Sequence, residues 1–164
     1  MKTFLFVLMA FLFWPGIALY VCFHDFDEVR DMGTLPVPQA PGVSVVLVQD
    51  QPFNHINGVY YRVLGSHDRL LGGPSGLFVS EGGIDASEFR VAAHDSVLVL
   101  TRDSPRDVVA LYDLCTQTGC PGASPGETRE DVSRRGDELL CRVQAQNPQL
   151  SWADYMARKY RSFP

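Results

Sequence analysis

Apolar positions along this chain follow three regimes: an unbroken run at the start, short β-branched runs through the middle, and helix-spaced stripes toward the end. In the middle, Val43-Ser44-Val45-Val46-Leu47-Val48 is a β-branched run and Gly58-Val59-Tyr60-Tyr61-Arg62-Val63-Leu64 alternates its faces, the pattern of half-buried strands. Further strands are predicted at 77–80, 89–91 and 96–100. Gly65-Ser66-His67-Asp68 and Gly72-Gly73-Pro74-Ser75-Gly76 between them have turn chemistry.

Beyond 101 the period lengthens. Ser104-Pro105-Arg106-Asp107, Ser124-Pro125-Gly126-Glu127 and Ser151-Trp152-Ala153-Asp154 each set a serine three residues ahead of a carboxylate, the signature of a capped helix start. Val108, Leu111, Tyr112 and Cys115 form one apolar stripe, and Trp152, Tyr155, Met156 and Tyr160 another. The expected fold is therefore α+β: a small, mainly antiparallel sheet over about residues 43–101, then three helices over about 105–118, 125–146 and 152–161. Together these make a single domain over 43–164.

The apolar run begins after Lys2, extends from Phe4 to Trp14, and meets Pro15-Gly16 and the small residues up to Ala18. This order predicts a signal peptide over 1–18. Because apolar residues resume through Phe23, an uncleaved membrane anchor over 4–23 is the competing expectation. Lys2 before the run and the acidic residues Asp25, Asp27 and Glu28 after it orient both versions alike. The domain is expected outside the cytoplasm, periplasmic, secreted or anchored, with residues 24–42 as an acidic and then proline-rich spacer.

A net charge of −5 and the lack of a basic stripe argue against nucleic acid as a partner and leave the N-terminal segment as the only membrane contact. The cysteines Cys22, Cys115, Cys120 and Cys141 are disulfide candidates in an oxidising compartment. Cys141 falls off the stripe of its predicted helix, which favours Cys120 as its partner. Cys115 and Cys120 lack the second ligand pair of a structural zinc site, so neither metal nor cofactor is expected.

No catalytic set is assigned. Side chains of consecutive residues such as Ser66-His67-Asp68 diverge, and the glycine cluster at 72–76 lacks both the Lys-Ser/Thr of a phosphate loop and, with Leu77 in place of the last glycine, the nucleophile elbow. The last helix interleaves Trp152, Tyr155 and Tyr160 with Arg158 and Arg161, the residue types of interface hot spots. That helix and the loops at 72–83 are the candidate partner surfaces. The function expected is an extracytoplasmic, non-catalytic protein-interaction domain, an accessory part of a cell-envelope assembly. The alternatives are an envelope hydrolase using a Cys or Ser nucleophile with a sheet-borne histidine, and a small secreted inhibitor or immunity-type binder.

Overall fold

The computed structural model describes residues 29–50, 57–80, 84–122 and 125–161. Both versions of the leader, with Cys22, lie outside these residues. Four strands, β1 (Val29–Pro36), β2 (Ser44–Asp50), β3 (Asn57–Leu64) and β4 (Leu70–Ser80), form an antiparallel meander in sequence order. A second antiparallel meander follows, of β5 (Phe89–His94), β6 (Val97–Arg102), β7 (Asp107–Asp113) and β8 (Thr118–Cys120). β9 (Ser151–Trp152) adds to β7 in parallel, and the helices are α1 (Arg129–Gln144) and α2 (Asp154–Arg161).

This architecture corrects the α+β expectation. The chain is mostly β, with a four-stranded and a five-stranded sheet rather than one sheet followed by three helices. The helix predicted over about 105–118 is instead β7, a turn and the start of β8. Val108 to Tyr112 are all buried, since α1 packs on β7 and the first sheet shares its core. A strand covered on both faces reads as a continuous apolar run, and such a run satisfies helical spacing as readily as alternation.

The motifs at Ser104 and Ser151 serve other ends than expected, and Ser124 lies outside the described residues. Ser104-Pro105 makes a turn, in which Asp107 N donates to Ser104 O at 3.2 Å and Arg106 N to Ser104 Oγ at 3.2 Å. α1 begins only after Thr128, whose Oγ1 accepts from Asp131 N at 3.2 Å while Asp131 Oδ2 accepts from Thr128 N at 3.1 Å, a capping box one motif downstream of Ser124. Ser151-Trp152 is strand, held by Ser151 N to Arg106 O at 3.0 Å.

Within the expected spacer, Val29–Pro36 is the edge strand of the first sheet, pairing Leu35 with Val45 and Pro36 with Ser44. The prolines fall at its end and in the following turn, where a missing N–H costs no ladder bond.

One apolar core joins the two sheets and α1. Val45, Leu47, Tyr61, Val63 and Leu77 come from the first sheet, Val97 to Leu100 and Val108 to Tyr112 from the second, and Val132, Leu139, Leu140 and Val143 from the helix. Burying each such aliphatic side chain contributes about 1.5–3 kcal/mol. α1 approaches β8 closely because position 136 is glycine: a Cβ there would stand 2.6 Å from Cys120 Sγ. Among the described residues no helix is long and apolar enough to cross a membrane.

The far end of α1 is tied down by Arg142, whose Nη1 donates to the buried Asp113 Oδ2 at 2.6 Å. Burial pushes the Asp113 carboxyl up, but the bonds from Arg142 and from the Cys115 backbone outweigh it and hold the pKa below the ordinary carboxylate value. A lowered folded pKa gives stability that is present above the unfolded value, about 3.9, and is lost as pH falls through the folded one. Asp113→Asn is therefore expected to flatten the acid limb of a Tm-against-pH curve. An acid limb as steep as in the parent protein would remove Asp113 from this role.

Candidate functional site

A cleft of about 530 Å³ opens where the edge strand β4 of one sheet meets the end strand β8 of the other. One wall is the backbone of Gly72-Gly73-Pro74-Ser75-Gly76, and the other is Gln117, Thr118 and Gly119 with Pro121 and Gly122. Tyr61 and Tyr112 form its floor, and Lys159 reaches it from α2.

The glycines make room for the two rings. A Cβ at Gly72 would stand 2.3 Å from Tyr112 Cε2, and one at Gly119 would stand 2.8 Å from Tyr61 Oη. With the rings seated, Tyr112 Oη donates to Leu71 O at 2.6 Å and Tyr61 Oη donates to Pro121 O at 2.9 Å. Arg135 of α1 donates to Gly119 O through Nε at 3.1 Å and Nη2 at 2.9 Å, and it also bonds Gly122 O and pairs with Glu127. The carbonyls of Leu71, Gly119, Pro121 and Gly122 around the cleft thus already have side-chain donors.

Burial shifts two of these groups. Burial, with the neighbouring Asp113 charge, pushes the Tyr112 phenol up, so it remains a donor at neutral pH. Burial lowers the Lys159 ammonium, with repulsion from Arg129 added. Lys159 Nζ lies 3.5 Å from Leu77 O on β4. The lining residues contain no His, Cys, Asp or Glu, and Lys159 is the amine that shares the cleft with the hydroxyls of Ser75 and Thr118. Such a surface offers hydroxyl, amide, ammonium and aromatic contacts, which suit non-covalent recognition.

The structure brings together two surfaces singled out in the sequence, the glycine cluster and the last helix. Their contact runs through Lys159, whereas Trp152 is buried with Nε1 donating to Asp137 Oδ1 at 3.0 Å, and Tyr155 is half-buried. Arg158 is exposed on α2, and the side chains of Tyr160 and Arg161 lie outside the described residues.

No two cysteines among the described residues lie at bonding distance. Cys115 is exposed in the turn after β7, and Cys141 is exposed on α1. Cys120 is buried beneath Gly136, which separates it from the outer face carrying Cys141. Its thiol is pushed up to about 12, chiefly by burial, and stays protonated.

His67 is exposed in the short turn Ser66–Asp68, and His94 Nδ1 lies 3.1 Å from Asn147 Nδ2; neither lines the cleft. His24 and His55 lie outside the described residues. Among the described residues no group of three or more His, Cys, Asp or Glu is placed to hold a metal ion.

Gln117, Thr118 and Arg135 were not marked by any local pattern, and Tyr61 and Tyr112 were marked only as members of a strand and of an apolar stripe. Each acquires its place through contacts distant in sequence. No family model matches the chain, and neither a curated protein nor a solved structure matches it.

Proposed function

We propose that this chain is an extracytoplasmic, non-catalytic protein-interaction domain that engages its partner at the cleft between β4 and β8. The observation that carries this reading is the convergence of the Gly72 to Gly76 backbone, two tyrosines and Lys159 on one recess. Strand addition is a poor fit, because Leu71 O, Gly119 O and Pro121 O are already bonded to Tyr112, Arg135 and Tyr61. Edges blunted in this way resist pairing with another chain.

The partner therefore presents a loop or side chain that enters the cleft. A partly desolvated ammonium gains most from meeting an anion or carbonyl, which favours an acceptor-bearing group opposite Lys159. A photo-crosslinking side chain at Gln117, on the cleft wall, is expected to give a discrete adduct with an envelope protein in the cell that makes this chain. The same group at the exposed Arg90 on β5 is the control. Equal labelling from both positions would sink the proposal.

A further inference from the structure

A separate recess of about 500 Å³ opens where β1 meets the short turn Ala86–Glu88. Gln49 on its wall belongs to the inward row of β2 with Val45 and Leu47, and is only 5% exposed. Its Nε2 is buried and has no hydrogen-bond partner. An unmet buried donor weakens a fold, so one at a pocket wall points to a ligand that supplies an acceptor.

Three carboxylates line the same recess. Asp31 and Met32 sit where the register of β1 shifts between Asp31 and Gly33, a bulge that re-aims side chains at the strand edge. Asp85 caps the turn by accepting from Ser87 N at 2.8 Å, and Glu88 Oε2 pairs with Arg102 Nη2 at 2.8 Å. Among the described residues Asp31 has no such partner, and the cation on the wall is Arg30, which the ladder pairs opposite Gln49.

We infer that this recess binds a lysine or arginine side chain of a partner protein, with the cation at Asp31 and Asp85 and the adjoining backbone carbonyl accepting from Gln49 Nε2. A polyamine supplies the charge but no acceptor for the amide. A free amino acid adds a carboxylate that the three acids repel. A basic peptide segment satisfies both demands. The inference concerns a different surface from the cleft and does not rest on it.

The test is a titration of the folded protein by two-dimensional NMR, reading the Gln49 side-chain amide and, in the variants, the backbone amides of Ile84 to Ala86. The probes are acetyl-Gly-Lys-Gly-amide, its norleucine counterpart and spermidine. A saturable shift of the Gln49 amide is expected with the lysine peptide alone, weakening with added salt. Asp31→Asn is expected to bind about tenfold more weakly, and Gln49→Met to lose the interaction. Absence of a saturable shift, equal binding by the norleucine peptide, or unchanged binding by either variant would overturn it. So would a saturable Gln49 shift with spermidine.

Discussion

Ala110→Asp is expected to unfold the domain, at a cost on the order of 5 kcal/mol, close to the whole stability of many domains of this size. Ala110 lies in the middle of β7, 1% exposed, opposite Leu100 of β6. An aspartate there buries an unpaired carboxyl and overfills a packed site at once. The same substitution separates the observed fold from the expected one. In a helix over 105–118, position 110 faces away from the stripe of Val108, Leu111, Tyr112 and Cys115, where an aspartate is tolerated within about 0.5 kcal/mol. A urea melt of the variant decides between them, and near-parental stability would contradict β7 as a buried central strand.

Gly73→Ala is the second large effect, expected to cost about 3–5 kcal/mol. Gly73 has φ +93°, a conformation L side chains rarely adopt, and a Cβ there would meet Tyr61 O at 2.5 Å and Arg62 Cα at 3.1 Å. Both contacts are backbone, so no rotamer change relieves them. Gly126, at φ +87° with nothing within 4 Å of its Cβ position, isolates the conformational part. Gly126→Ala is expected to cost only about 1 kcal/mol. If thermal melts place the two variants together, the close approach of β4 to β3 at Gly73 is not what requires glycine there.

Legibility of the fold varied with how far each element depends on distant contacts. The β-branched run around Val45 to Val48 and the alternation around Val59 to Val63 mark β2 and β3 locally. β7 is ambiguous because both its faces are buried, and only its neighbours decide that Val108 to Tyr112 extend rather than coil. β4 is disguised, since Gly72-Gly73-Pro74-Ser75-Gly76 reads as a turn and becomes strand by pairing with β3 through three register shifts. Gly72 serves there as space for Tyr112 rather than as a bend.

For the cleft, the glycine cluster and the last helix were visible separately, but nothing in their spacing joins Lys159 to Gly76. Trp152 looked like part of an aromatic surface, but it and Met156 are buried, and the Trp152 ring lies against Gly136 of α1. The orphaned amide of Gln49 was invisible in the sequence, where a glutamine ending an apolar run suggests only a strand end.

The most direct test of the cleft as a partner site is the crosslink from Gln117 repeated with Lys159→Glu, comparing adduct yield at matched protein level. Lys159 lies outside the core cluster, so charge reversal is expected to leave the melt within about 1 kcal/mol of the parent. The expected result is loss of most of the adduct from Gln117 with the fold intact. An undiminished adduct in the charge-reversed protein would contradict the cleft as the place where this domain meets its partner.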